Sequence, residues 1–362
     1  MRKAVRIIAG IAAGFLALVA GLLIFVWGST YHPAEEQKES FYNSEKAPVL
    51  KKGQPLKVLS WNVQFMAGKN KVFFFDTAKG DGPDIRPSKE DIARTLHEVA
   101  RVIKEENPDV VLLQELDVNA KRTDYEDQLA RLRALLPSEY SCYASSWYWK
   151  AAFVPHPKIM GRAGMKVAVI SKYKIKEATR YQLPIMPDNI IMQQLNFKRA
   201  ILETVLQSED GGVSVMSTHF DAFAQGNDTM ERQVAFIQKL MRKRTAEGRP
   251  WIAGGDFNLM APGSAYNDIA PSHKIFFNEK SELEPLMNEF QSVPSIGDIY
   301  GHDAAKWISH WPNDPDVKKP DRTIDFIFAS SSVNVAEKHI RQGDALTISD
   351  HFPVIAVFNL PK

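Results

Sequence analysis

Hydrophobic residues fall into two regimes along this chain. From Ile7 to Trp27 they run for 21 positions without a charge, and at about 1.5 Å per residue a helix of that length spans roughly 30 Å, the thickness of a bilayer core. The run predicts a membrane-crossing helix within residues 1–30. A cleaved secretory signal is the alternative, because Met1–Arg6 is basic and Val26-Trp27-Gly28 loosely resembles a small-x-small cleavage site. Signal cores run about 7–15 residues and a clean A-x-A is missing here, so an uncleaved anchor is the expectation. Arg2, Lys3 and Arg6 precede the run and Gly28–Gln37 holds no Lys or Arg, which places the N-terminus in the cytoplasm and the body outside it. Residues 31–54 are polar, carry Pro33, Pro48 and Gly53 and show no sustained period, so they read as a linker.

From residue 55 the pattern changes to short apolar runs rich in β-branched and aromatic residues. Strands are predicted at Lys57–Val63, Asp109–Gln114, Val167–Ser171, Ala200–Leu206, Val213–Ser217, Trp251–Gly255, Thr323–Phe328 and Phe352–Phe358. Helical periods lie between several of them. In Ser88–Glu105 the residues Ile92, Leu96, Val99 and Ile103 share a face and Pro108 follows its end. Asp124–Leu136 and Asp228–Arg244 behave alike, with Asp124 and Asp228 as N-caps and Pro137 and Gly248 beyond the ends. Mixed strands and helices over residues 55–362 predict an α/β or layered α+β domain whose sheets are covered by helices. There is no internal repeat and no low-complexity tract.

Composition narrows the class. The chain has 362 residues, 44% hydrophobic and 24% charged, which excludes a long disordered or collagen-like protein. Its 45 Lys+Arg against 43 Asp+Glu give +2, but without Arg2, Lys3 and Arg6 the rest carries 42 against 43, a net of −1. The body has no bulk electrostatic signature of a dedicated nucleic-acid binder. A single cysteine, Cys142, excludes internal disulfides and multi-cysteine zinc sites.

The strand ends carry the chemistry. The first predicted strand finishes in Ser60-Trp61-Asn62, the second in Gln114-Glu115, VSVMSTHFD delivers His219 and Asp221, and WIAGGDFN delivers Asp256 and Asn258. Asp325 lies inside the apolar run TIDFIF, and the last strand follows Ser349-Asp350-His351. Side chains at several strand ends converge on one crevice when a rigid sheet holds them. Taken singly each has a plain reading: Asn62 or Gly254-Gly255-Asp256 as a turn, Glu115 as surface, His219 as a satisfied histidine. Asp325 resists that reading, because an acid among Ile324, Phe326, Ile327 and Phe328 is costly unless paired, and a histidine is a natural partner. Carboxylate and amide oxygens suit a hard cation, Mg²⁺ or Mn²⁺. Zinc held by His219 and His351 is the metal alternative, without the H-E-x-x-H spacing to support it.

In order, WN, QE, STHFD, GGDFN, TIDFIF and SDHFP resemble the motifs of the endonuclease/exonuclease/phosphatase superfamily, the fold of DNase I, neutral sphingomyelinases and inositol polyphosphate 5-phosphatases. The resemblance covers Leu56 to Phe358. It implies a four-layered α/β sandwich, two packed and mostly antiparallel β-sheets flanked by helices, preceded here by one N-terminal transmembrane helix. It also implies a Mg²⁺- or Mn²⁺-dependent hydrolase of phosphoric esters. By matching position, Asn62, Glu115 and Asp350 would form the metal site, with Glu115 the principal ligand. Asp256 would orient or deprotonate the attacking water and Asn258 would hydrogen-bond the phosphate. Asp325 would fix His351, which contacts the phosphate or serves as base, and His219 would donate to a phosphate oxygen or assist the leaving group. Such roles fit phosphoryl transfer, which needs a cation, donors on developing charge and an aligned water.

Departures narrow the substrate. His219 stands where apurinic-site endonucleases usually have tyrosine, and the Trp-Cys-Asp-Arg of the 5-phosphatases is missing at Thr323–Phe326. Arg199 in NFKRAILE either reaches a phosphate or is a solvated strand end, and Lys166 reads as strand surface. SSWYWKAAFVPHPKIMG, Ser145–Gly161, is a candidate loop for substrate or membrane, and Ala261–Arg322 is a long region without an identifiable ligand. The expected function is a membrane-tethered, extracytoplasmic phosphodiesterase, nuclease-like, with a phospholipid or sphingolipid headgroup as the alternative substrate. A non-catalytic binding protein on the same fold is the remaining class.

Overall fold

The structure is a computed structural model and describes residues 2–209, 211–222 and 224–362. Within them the body is built on two seven-stranded sheets. The first runs Asn334–Ile340, Val354–Asn359, Pro55–Asn62, Val110–Asp117, Gly161–Ser171, Cys142–Val154, Phe41–Tyr42 from edge to edge. The second runs Glu36–Lys38, Ile175–Gln182, Ala200–Leu206, Val213–His219, Trp251–Asp256, Asp325–Ala329, Gln291–Val293. One central pair in each is parallel, Pro55–Asn62 with Val110–Asp117 and Val213–His219 with Trp251–Asp256. Each parallel pair needs a crossover, and the helices Lys89–Glu106 and Thr229–Ala246 supply them.

Burial follows from the two periods. Along Lys89–Glu106 the stripe Ile92, Leu96, Val99, Ile103 packs on Leu59, Val111 and Leu113 of the first sheet. Met230, Val234, Ile237 and Met241 of the helix Thr229–Ala246 pack on Met216, Ala253 and Phe326 of the second. The alternate strand residues face inward, where Val58, Leu112 and Val169 join Leu202, Val215, Ile252 and Ile327 in the core between the sheets. Helix, sheet, sheet, helix gives the four-layered sandwich. Gly254 lets the sheets come close, since a Cβ there would stand 2.9 Å from Leu112 Cδ1 and 3.2 Å from Ser60 Cβ.

Several sequence expectations change. Residues 31–54 are not a free linker: Glu36–Lys38 pairs with Ile175–Gln182 at the edge of one sheet and Phe41–Tyr42 with Cys142–Val154 at the edge of the other. Edge strands this short are held by backbone pairing and leave no hydrophobic period to read. Ser145–Gly161 is strand as far as Val154, with Tyr148 buried, Trp147 and Trp149 half-buried, and a register shift between Trp147 and Trp149. The second predicted helix shortens to Gln128–Leu135, capped by Asp127 through Ala130 N at 2.9 Å. Asp124 instead takes a left-handed φ of 53° after a short turn and pairs with Arg86 at 2.6 Å. Asp228 occupies an N-cap position without a side-chain cap bond, while Asn227 Oδ1 accepts from Thr229 N at 2.9 Å.

The helix Arg2–Ser29 is long and apolar enough to cross a membrane, and none of it is buried. Its end is pinned by a bridge between Thr30 and Ala151 and by the ring of His32 stacked on Trp27 at 3.8 Å.

Candidate active site

The two sheets present their site residues at one shared edge. In register, Asp256 stands beside His219 on its parallel neighbour and beside Asp325 on its antiparallel neighbour. Asn62 ends the facing strand, level with Gln114. Its Nδ2 donates across the gap to Asp256 Oδ2 at 3.0 Å and within its own sheet to Glu115 Oε1 at 3.2 Å. Gln64 N donates to Asn62 Oδ1 at 3.0 Å and so fixes which way the amide points.

Glu115 reaches this point through a distortion of its strand. The ladder to Gly161–Ser171 shifts register between Leu113 and Leu116, and Glu115 takes a φ of 60°. Bulges and left-handed non-glycine residues cost backbone energy and re-aim a side chain, here toward the crevice. Asn258 is also left-handed, at φ 50°. Its N donates to Asp256 Oδ1 at 2.9 Å and its Nδ2 to the carbonyl of Phe220 at 3.2 Å.

Asp256 is the junction. Its Oδ2 lies 3.0 Å from Asn62 Nδ2, 3.3 Å from His219 Nε2 and 3.6 Å from His351 Nε2. Behind His351, Nδ1 faces both oxygens of Asp325 at 2.9 and 3.1 Å. Ser309 Oγ donates to Asp325 Oδ2 at 2.7 Å and accepts from the backbone N–H groups of Ile324 and Asp325. Trp61 Nε1 donates to the His351 carbonyl at 2.8 Å, and Ser349 Oγ donates to that of Asn62 at 2.9 Å. Asp350, next in chain, faces His310, whose Nε2 is 3.9 Å from its Oδ2.

These environments sort the protons. Burial first, with Asp325 adding and His351 opposing, pushes the Asp256 carboxyl up to about 7. Burial and the Asp350 charge push Glu115 up as well. At Asp350 burial pulls upward, yet His351, His310 and Lys69 outweigh it and hold the carboxyl down at about 2. Burial disfavours a charged His351, but Asp325, Asp256 and Asp350 together hold it protonated well above the ordinary histidine range. Burial, Arg199 and His351 keep His219 neutral, and burial and His351 do the same to His310.

Glu115, His219, Asp256, Asn258, Asp350 and His351 all line one cavity of about 510 Å³. Asn62 and Asp325 stand behind that surface, buried, as positioning residues. Arg199 also lines the cavity. It is buried, with Nε 3.3 Å from Asp221 Oδ1, its guanidinium 4.3 Å from the Phe197 ring centre, and Nη1 without a hydrogen-bond partner among the described residues. It is not a solvated strand end. Lys166 is half-buried over Trp147 rather than in the site.

Sequence reasoning passed over four residues of this wall. His310, with its ring 4.3 Å from that of His351, lies in a region without period and is brought in by backbone bridges to Arg322 and His351. Gln64 has both amide atoms buried without a partner among the described residues and sits in a run of three positive φ angles, Gln64–Met66. Asp76 and Arg122 line the cavity too, and burial pushes the Asp76 carboxyl up. Only the buried, charge-rich setting marks them, and that is a three-dimensional property.

Acid and histidine clusters here could hold a metal. His310, Asp350 and His351, and separately Asp256, Asp325 and His351, each place their ligand atoms within 4.8 Å of one another. A histidine kept protonated offers no lone pair, so the oxygens of Asp350, Asp256 and Glu115 are the donors that fit, and they suit a hard divalent cation. Asn62, expected as a ligand, turns its Oδ1 to Gln64 N and its Nδ2 to Glu115 and Asp256, so it orients those carboxylates instead. Cys142 is buried in the core between the sheets, away from this wall.

A model of the endonuclease/exonuclease/phosphatase family matches residues 59–351. Among solved structures, an endonuclease/exonuclease/phosphatase from Beutenbergia cavernae DSM 12333 aligns at 20% identity and TM-score 0.55, covering 85% of this chain and 72% of that one. A family protein from Leptotrichia buccalis C-1013-b aligns at 18% and 0.52, covering 83% and 98%. Truncated Caenorhabditis elegans TDP2 aligns at 15% and 0.50, covering 85% and 98%. At these identities the likeness is one of fold. No curated protein matches the sequence.

Proposed function

The chain belongs to the endonuclease/exonuclease/phosphatase family, whose members are hydrolases of phosphoester bonds, and from that premise we propose that it is a divalent-metal-dependent phosphodiesterase tethered to a membrane by Ile7–Trp27. The observation that carries the reading is the position of Asp256 Oδ2, within 3.6 Å of Asn62, His219 and His351 at the meeting of both sheets. Glu115 and Asp350 would hold the cation, Mg²⁺ or Mn²⁺, with Asn62 Nδ2 orienting Glu115 beside it. When bound, it neutralises charge on the phosphate and on the leaving oxygen.

The residues divide the remaining work by charge. His351, kept protonated by Asp325, presents Nε2–H as a fixed positive donor to the phosphoryl oxygens. It is therefore not the base at neutral pH. Asp256, poised at about 7, accepts the proton of the attacking water. His219 is neutral, and its Nε2 at 3.3 Å from Asp256 Oδ2 orients that carboxylate or donates to a phosphate oxygen. Asn258 and Arg199 steady the phosphate. With no thiol or hydroxyl nucleophile in the wall described here, water attacks in line. A phosphorothioate diester of defined configuration tests this: inversion at phosphorus is expected, and retention, which requires a covalent intermediate, contradicts it.

One observation favours the lipid substrate over the nucleic acid. Besides the acids, the cavity is lined by Phe74, Ile85, Trp149, Met192, Leu195 and Phe197.

A further inference from the structure

The apolar residues of the helix Ile190–Leu195 meet different neighbours. Met192 and Leu195 line the cavity. Ile190 and Ile191 do not; they point to solvent, 75% and 46% exposed. Large apolar side chains this exposed are a burden to a soluble surface unless something covers them. What lies beside them is the apolar span: Arg2–Ser29 packs against Ile190–Leu195 and against the strand Cys142–Val154, with Val26 and Ser29 partly covered. The same cavity lining includes the exposed Ile85 together with Arg86, Lys158 and Arg162. Apolar side chains mixed with basic ones are what sits in a headgroup layer.

We propose that Ile190–Leu195 is a membrane-seated wall: its outer face enters the lipid–water interface beside the span, and the cavity behind it takes a membrane lipid phosphodiester directly from the bilayer. This rests on the phosphodiesterase reading for its chemistry and on geometry for its location. A span fixed by the bridge Thr30–Ala151 cannot leave the mouth far from the bilayer. The lipid's apolar part lies along Met192, Leu195, Trp149 and Phe197, and its phosphate reaches Glu115, Asp256 and His351, which line the same cavity. The bond broken is a phosphoester bond of the headgroup; water supplies the new P–O bond and the leaving oxygen takes up the proton.

The test uses the full chain in vesicles of phosphatidylcholine, phosphatidylglycerol and sphingomyelin. A fluorophore on Ile191→Cys should be quenched by nitroxide-labelled lipid tails. Ile190→Asp with Ile191→Asp should lower lipid hydrolysis at least tenfold while leaving hydrolysis of soluble bis(p-nitrophenyl) phosphate within twofold. An unquenched probe, a double variant with full activity on vesicles, or a wild-type chain that cleaves DNA or RNA and spares the lipids overturns the proposal. If the wild type cleaves no diester at all, the phosphodiesterase reading fails instead, and the quenching result still decides whether the helix is in the membrane.

Discussion

His351 Nδ1 lies 2.9 Å from Asp325 Oδ2, and Ser309 holds that same oxygen at 2.7 Å from the other side. The ring is thereby fixed in orientation and in charge, since a buried imidazolium is stable only with carboxylates around it.

Asp325→Asn keeps the shape and removes the charge, so His351 loses its proton near neutrality and with it the positive donor. A fall of roughly 10²–10⁴ in kcat/KM is expected, in the range for losing a positioned acid or base, and the alkaline limb of the rate profile moves to lower pH. His351→Ala should lose at least as much, without that limb. Activity of Asp325→Asn within tenfold of wild type across the pH range contradicts the pairing.

The raised carboxyls make cation binding a proton-releasing event. At pH 6 Asp256, poised at about 7, is mostly protonated, and a cation entering beside Asp256 and the likewise raised Glu115 displaces a proton; at pH 8.5 it is already ionised. Calorimetric titration with Mg²⁺ or Mn²⁺ in two buffers of different ionisation enthalpy should show proton release that is larger at pH 6 than at pH 8.5. Equal release at both values contradicts the assignment.

Most of this edge was legible in the sequence, because strand-end polar residues interrupt apolar runs that fix their direction. Asn62, His219, Asp256 and Asp325 stand where their strands deliver them, while Glu115 is turned in by the bulge in its strand. The pairing of His351 with Asp325 was expected from the sequence, but the further hold of Asp256 on its proton was not legible, since that carboxylate comes from a separate strand. Nor were the edge strands Glu36–Lys38 and Asn334–Ile340, which are mostly polar and exposed, so no alternation marks them. His310 and Gln64 come from irregular segments and acquire meaning only from what packs around them.

Gly255 has no room for a side chain, because a Cβ would overlap the Thr218 carbonyl on the neighbouring strand. Gly255→Ala should cost about 1–3 kcal/mol by overpacking, read from the denaturant midpoint. It should also lower activity by displacing Asp256 next in chain. An unchanged midpoint contradicts the close approach.

Away from the site, Arg244 donates to Glu203 through Nε at 2.6 Å and Nη2 at 2.7 Å, both side chains buried. Burial alone would raise the Glu203 carboxyl, but Arg244, Ser214 and Tyr181 outweigh it and hold it below the usual value. Its contribution is therefore complete above the unfolded glutamate value of about 4.3 and fades as pH falls below it. Arg244→Met strands the carboxylate and should cost about 3–5 kcal/mol at pH 7, with the deficit narrowing toward pH 3. A deficit independent of pH contradicts the ion pair.

The central claim is metal-assisted hydrolysis directed by Asp256. The most direct measurement is steady-state hydrolysis of bis(p-nitrophenyl) phosphate by the full chain in detergent, with Mg²⁺ or Mn²⁺ and with EDTA, for wild type and Asp256→Asn. The account predicts turnover that depends on the cation, vanishes with EDTA and falls by about 10³ or more in the variant. Turnover that survives EDTA, or a variant as fast as wild type, contradicts it.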